Sequence, residues 1–199
     1  TPVTMIAYAP YMSEAAPDAS LAVNALTNQA TEENVKSSDF LLMKATVDPE
    51  QDLTADGKLK ISLSHAMSKL IIKITVNGTT DAAMNKLGDM SINGAVVNGI
   101  CDMSATVPMV VPAPDAVVAT VAPYKGTESC ECILPPQKIA EGFSVNFSYD
   151  GKLYIWTAKE AIELEKGVEH TLTLNVNTTV RLAAKMARNW ATGQLIDRN

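Results

Sequence analysis

Hydrophobic and polar residues alternate with a period of two along much of this chain, most regularly between Phe143 and Val176. Phe143, Val145, Phe147 and Tyr149 share one parity, with Ser144, Asn146 and Ser148 on the other. Asp150-Gly151 breaks the run before Leu153, Tyr154, Ile155 and Trp156 resume it. Successive side chains of a strand point to opposite faces, so the pattern predicts two half-buried strands. Asp-Gly between them is a strong hairpin signal, because a type I′ turn needs positive φ at both central residues. Another strand is predicted after Gly167, with Leu172, Leu174 and Val176 inward and Thr171, Thr173 and Asn175 outward.

The earlier part of the chain is less regular. Val3 to Ala9 reads as a strand closed by Pro10, and Phe40 to Val47 as a strand or buried edge. Between them, Ser13 to Ser38 has weak periodicity and stays open between loop, short strand and short helix. Asp48 to Gly57 is polar, acidic and broken by Pro49 and Gly57, which makes it a linker candidate. Leu59, Ile61, Leu63, His65 and Met67 then hold odd parity, while Leu70, Ile72, Ile74 and Val76 hold even parity. A strand cannot change faces without an extra residue, so a bulge or turn is expected at Ser68-Lys69.

Met90 to Asp102 contains Asn93-Gly94 and Asn98-Gly99, both natural turn formers, and predicts two very short strands. Ala105 to Pro123 is rich in proline and valine and reads as extended. Glu131 to Leu134 reads as a strand stopped by Pro135-Pro136. Helix is scarce. The candidates are a turn around Asp81–Leu87 and the tail from Val180 to Trp190. In the tail Leu182, Met186 and Trp190 fall at helical spacing, Val180, Leu182, Ala184 and Met186 also alternate, and propensity favours helix. Many short strands with Gly, Asn and Pro punctuation predict an all-β fold, an antiparallel β-sandwich.

Bulk properties narrow the function. The chain has 199 residues, enough for one or two domains with a core. At 47% hydrophobic and 19% charged it is too apolar for disorder. A net charge of −6 with no basic run argues against nucleic acid as a partner. No apolar stretch approaches the ~18 residues that would suggest a membrane helix. The chain opens at Thr1-Pro2 with no signal segment, the start expected of a mature product or a trimmed fragment. Cys130 and Cys132 point the same way on a strand, and a bond between them would be badly strained. Buried free thiols are expected, the alternative being a Cys101 disulfide to one of them.

No nucleophile elbow, zinc-protease helix, P-loop or dinucleotide fingerprint is present, so no catalytic, cofactor or metal residue is assigned and an enzyme is not expected. His65, on the inward parity, and His170, at a strand opening, are expected to be hydrogen-bonded structural residues. The acidic run Asp48, Glu50, Asp52, Asp56 lacks the calcium-loop spacing and reads as solvated linker. Tyr154 and Trp156 share one strand face, which suits a sugar-stacking contact and equally suits sheet packing.

Several blocks resemble, in order, the fimbrillin-like (Mfa-like) family, the type V pilus subunits of Gram-negative anaerobes of the Bacteroidales type. They are Ala7-Tyr8-Ala9-Pro10-Tyr11, Asp39-Phe40-Leu41-Leu42-Met43-Lys44-Ala45, and the alternating block from Leu59 through His65 to Met67-Ser68-Lys69-Leu70. Further along come Ile133-Leu134-Pro135-Pro136-Gln137, Gly167-x-x-His170-x-Leu172-x-Leu174-x-Val176, and Trp190-x-x-Gly193. His170 stands where the family usually has Tyr.

The resemblance implies transthyretin-like Greek-key sandwiches, export as a lipoprotein to the outer membrane, and display in a fimbrium at the cell surface. It also implies partnership with other pilus subunits by donor-strand complementation, and contact with host or bacterial surface ligands where the subunit is adhesive. Because family members carry a fuller N-terminal domain, residues 1–50 are expected to be its remnant and residues 51–199 the C-terminal sandwich. The expected function is a structural or adhesive fimbrial subunit, with a glycan- or host-binding surface lipoprotein as the alternative. Val3, Met5 and Ala7 are the expected strand-exchange edge, and Tyr154 and Trp156 the candidate ligand contacts.

Overall fold

Alternation becomes strand wherever it is strong. The computed structural model describes residues 1–12, 20–78, 83–177, 181–188 and 191–194. The strands are β1 (Val3–Ala9), β2 (Ser20–Asn24), β3 (Leu41–Val47), β4 (Ser64–His65), β5 (Ser68–Val76) and β6 (Leu87–Val96). Next come β7 (Asn98–Asp102), β8 (Val110–Pro112), β9 (Val118–Val121), β10 (Tyr124–Lys125), β11 (Cys130–Leu134) and β12 (Gln137–Ile139). The last are β13 (Ser144–Tyr149), β14 (Lys152–Thr157), β15 (Ile162–Leu164), β16 (Glu169–Asn177), β17 (Arg181–Arg188) and β18 (Ala191–Gln194). Among the described residues helix is confined to α1 (Glu32–Ser38), α2 (Pro49–Asp52) and a 3-10 turn at Met84–Lys86. No helix among them is long and apolar enough to cross a membrane.

A six-stranded sheet ordered β10-β11-β5-β16-β17-β18 and a four-stranded sheet ordered β14-β13-β6-β9 share one hydrophobic core. β7 follows β6 after Val97 alone and pairs with β2 and β8, while β1-β3-β4 form a separate small sheet. β5 and β16 are parallel, and every other described strand pair is antiparallel. Leu70 and Ile72 on β5 and Leu172, Leu174 and Val176 on β16 are fully buried, in the same cluster as Ile92, Val145 and Phe147 from the other sheet. Burying each such side chain is worth ~1.5–3 kcal/mol. The Asp-Gly hairpin is present, with Asp150 at φ 49 and Gly151 at φ 75 joining Tyr149 to Lys152.

The structure corrects expectations at three places. Leu59 to Met67 is not one inward-facing strand: Ile61 and His65 are exposed, and only β4 is regular there. Ala66, Met67 and Ser68 are buried in succession, which a strand with one buried face cannot do. The chain crosses between sheets at that point, with the Ala66 amide donating to Phe40 O and the Gly167 amide to Met67 O, each at 2.8 Å. The face change therefore lies just ahead of Ser68-Lys69.

The two Asn-Gly pairs are not turns. Gly94, at φ +89, makes a bulge inside β6, and a Cβ there would lie 2.4 Å from Gly142 O. Gly99 lies within β7 because neighbouring strands approach it, and a Cβ would meet Val23 O and Val110 Cγ1 at 2.8 Å. Both glycines serve close approach. In place of a helical tail, β17 continues the sheet against β16 from His170↔Arg188 to Asn177↔Arg181, so ladder pairing overrides helix propensity. Trp190 lies outside the described residues. Around Asp81–Leu87, residues 81–82 also lie outside them, and the remainder holds the 3-10 turn.

Two glutamines complete ladders that strands leave open. The side chain of Gln29, fully buried, accepts from Ile133 N at 2.8 Å and donates to Ile133 O at 2.8 Å and Leu26 O at 2.9 Å. Gln137 does the same with Val96, accepting from its amide and donating to its carbonyl at 2.9 Å. Each amide acts as one residue of a missing strand. Gln29→Ala would orphan both backbone groups of Ile133, and should lower unfolding free energy in urea by about 2–4 kcal/mol without changing the circular dichroism of the folded state.

Cys101, Cys130 and Cys132 are buried free thiols. Burial pushes Cys130 up from an ordinary 9.0 to about 11, and raises Cys132 further and Cys101 as well. They should resist a disulfide reagent until the protein unfolds. The fold holds these protons more tightly than the unfolded chain, so stability is complete below pH ~9 and declines above it. For Cys130 the decline should run from pH ~9 to about 11, at up to ~1.4 kcal/mol per pH unit. Cys130→Ala should remove that share of the slope in denaturation curves and leave the share of Cys132 and Cys101.

Candidate functional site

β1 hydrogen-bonds to β3 along its whole length, from Val3↔Val47 to Ala9↔Leu41. No described strand pairs with its other side. Ile6 and Tyr8 pack against the core, with the Tyr8 ring 6.0 Å from Phe40. Val3, Met5 and Ala7 therefore point to the opposite face, where their register partners are Val47, Ala45 and Met43. That face is apolar throughout, and Val3 is 53% exposed. Lys44 on the core side of β3 fastens this small sheet to the chain beyond β7, donating to the carbonyls of Met103, Ser104 and Ala105 at 2.9, 3.1 and 2.7 Å.

β14 forms an edge of the four-stranded sheet. Trp156 is only 7% exposed and meets Phe143 edge-on at 6.1 Å, while Tyr154 stacks on Phe147 at 5.4 Å. The large side chains β14 presents to solvent are instead Leu153 and Ile155, 85% and 69% exposed. The aromatic pair lies on the core side, and the aliphatic pair forms the outer surface.

The two histidines are not brought together. His170 is buried, and its Nε2 accepts from the Glu165 amide at 2.9 Å. His65 is exposed and pairs through Nδ1 with Asp39 Oδ2 at 2.7 Å. Among the described residues no group of three or more His, Cys, Asp or Glu is placed to hold a metal ion.

A recess of about 400 Å³ opens between α1 and the start of β5. Val35, Met67 and Ile133 are its buried apolar floor. Lys69 bridges Glu131 at 3.0 Å and Glu169 at 3.3 Å. Burial works against its charge, but the two carboxylates outweigh it and hold the ammonium above its usual pKa. Across the recess the Tyr124 hydroxyl donates to Glu32 at 3.2 Å, and the His65–Asp39 pair closes one end. Asp39 Oδ1 is shielded from solvent and finds no hydrogen-bond partner among the described residues. Sequence patterns do not reveal this site, because its residues come from segments that only the fold assembles.

The sequence matches the fimbrillin-like family over residues 1–189. The chain belongs to that family. This fimbrillin-like protein also resembles solved structures of Bacteroides proteins described as cell adhesion proteins. The one from Bacteroides uniformis shares 18% identity at a TM-score of 0.67, covering 94% of this chain and 72% of its own. The one from Bacteroides ovatus shares 19% at 0.67, covering 100% and 69%. A third, from Bacteroides thetaiotaomicron, shares 18% at 0.51, covering 100% and 70%. At these identities the likeness establishes a common fold. No curated protein matches the sequence. As a fimbrillin-like protein the chain is a structural or adhesive subunit of the cell surface.

Trp156→Ala should cost about 3–5 kcal/mol in chemical denaturation, the range for removing a buried aromatic ring. Leu153→Ser on the outer face of the same strand should stay within ~0.5 kcal/mol.

Proposed function

We propose that the protein joins neighbouring subunits of a surface fimbrium by strand addition at β1, with Val3, Met5 and Ala7 bordering the receiving edge. Membership of the fimbrillin-like family over residues 1–189 is the observation that carries this reading. Three physical features support it. Among the described strands β1 has β3 as its single partner, its outer face is apolar, and its inner face is tied to the core. An incoming strand would repair both defects of such an edge, pairing its free backbone groups and covering its side chains. A strand of about ten residues burying five apolar side chains gains roughly 7–15 kcal/mol before ordering costs. Head-to-tail contacts of this kind do not close, so they build filaments.

Adhesion, as in the names of the Bacteroides structures, and outer-membrane attachment through a lipid-bearing segment upstream belong to the same proposal. So does the division into an N-terminal remnant, residues 1–50, and a sandwich, residues 51–199.

Hydrogen exchange compares fimbriae with monomer. The β1 amides should exchange at least tenfold more slowly in the fibre, and unboiled surface material should run as an SDS-resistant ladder. Met5→Lys should abolish the ladder while leaving the monomer folded. Equal exchange of β1 in both states would overturn strand addition at this edge.

A further inference from the structure

Among the described strands the small sheet β1-β3-β4 has two edges. β1 is one, and the other is β4, which holds only Ser64 and His65. The chain leading into β4 carries the alternation of a strand without forming one. Leu59, Ile61 and Leu63 share one parity, with Lys58, Lys60 and Ser62 on the other. Yet between the isolated Leu53↔Leu59 bridge and β4, residues 60–63 lie in no described ladder. Ile61 is 47% exposed, and Leu59 and Leu63 are only partly buried. Alternation of this kind suits a strand with one covered face, and open backbone beside exposed apolar side chains invites pairing with another chain.

We infer that residues 59–63 are the strand that adds to β1 of a second copy of this chain, joining successive copies edge to edge through their small sheets. The inference rests on the strand addition at β1 proposed above and names its donor. Register supports the match. Leu41 lies opposite His65 on β4 and opposite Ala9 on β1, so a strand continuing β4 puts Leu59, Ile61 and Leu63 on the face of Val3, Met5 and Ala7. One apolar face then runs on from copy to copy. β1 carries no charge to repel Lys58 and Lys60. Donor and acceptor are opposite edges of one sheet, so each copy offers both, and the contact propagates instead of closing. The segment's own β3 is the nearest alternative. Its positions 43–47 lie directly ahead of β4 without a described partner on that side, yet the segment does not take them. Its start is fixed by a turn, where the Thr54 amide donates to Lys58 O at 2.8 Å and the Lys58 amide to Thr54 Oγ1 at 3.0 Å. Residues 59–63 are thereby held out from the sheet in an extended, accessible form.

Hydrogen exchange on wild-type fimbriae and monomer gives the first test. The amides of residues 59–63 should exchange roughly tenfold or more slowly in the fibre, together with those of β1. Cross-linking gives the second. Met5→Cys and Ile61→Cys chains that still form the SDS-resistant ladder are assembled alone and mixed, then treated with a short bis-maleimide, to which the buried native thiols stay silent. A cross-linked dimer is expected in the mixture and in neither variant alone. Ile61→Lys should remove the ladder while the monomer keeps its exchange pattern. Protection of β1 without protection of residues 59–63 overturns this donor and leaves strand addition at β1 standing. Equal exchange of β1 in both states overturns both readings. Cross-linking within Ile61→Cys alone overturns the inference in favour of self-pairing of the segment. Protection of residues 59–63 without a cross-link in the mixture overturns it in favour of pairing with their own β3. Wild-type exchange needs no substitution, so a variant that fails to assemble leaves the test intact.

Discussion

β5 and β16 lie side by side and parallel at the middle of the six-stranded sheet, although paired residues such as Thr75 and Asn175 are 100 positions apart. A tight hairpin cannot join parallel neighbours. The intervening chain must leave the sheet and return, and on the way it builds the whole four-stranded layer, β6, β9, β13 and β14, and sends β10 and β11 back to the first sheet. The central pair therefore forces the sandwich. Its inward residues, Leu70 and Ile72 against Leu172 and Leu174, reward closure only once the second layer covers them. Thr75 and the Gly78 amide both donate to Asn175 Oδ1, which fastens the far end of the pair.

Long-range closure leaves backbone groups that no strand reaches. Gln29 and Gln137 answer this with side-chain amides, whose paired donor and acceptor match a peptide unit. Gln29 also explains why α1 lies where it does. The glutamine pins the chain ahead of the helix to Ile133 on β11, while Val35 of the helix is buried in the core cluster. The recess is the space left between that helix and the sheet.

What could be read from the sequence follows from the range of the forces. Val3–Ala9 and the Asp150-Gly151 hairpin depend on alternation and turn geometry, both local, and both appear in the structure. Gly94 and Gly99 looked like turns because Asn-Gly satisfies turn geometry locally. Their reason is the approach of Gly142 and Val23, which no local pattern contains. His65 kept the parity of an inward residue, yet the chain changes sheets at Ala66-Met67 and leaves its ring facing Asp39. The tail carried two competing periods, and the free side of β16 decided for strand. For the candidate site, β1 was legible as a strand from its own alternation, whereas its place at a sheet edge comes from pairing with β3 alone among the described strands. The recess was not legible, because it joins Glu32, Asp39, Lys69, Glu131 and Glu169 from separate elements.

The described sheets expose several edges, and they are not equally guarded. β8 ends in Pro112, with Pro108 and Pro114 close by, so several amides that could recruit another strand are missing. β10 is two residues long and carries Lys125. β14 offers Leu153 and Ile155 but begins with Lys152. β1 has seven residues with no charge and no proline between Val3 and Ala9, and an apolar outer face. An unguarded edge of that length is an aggregation hazard for a protein that remains a monomer. Among the described edges without charge or proline β1 is the longest, ahead of β2 with five residues and β9 and β18 with four, so it offers another strand the greatest length of pairing.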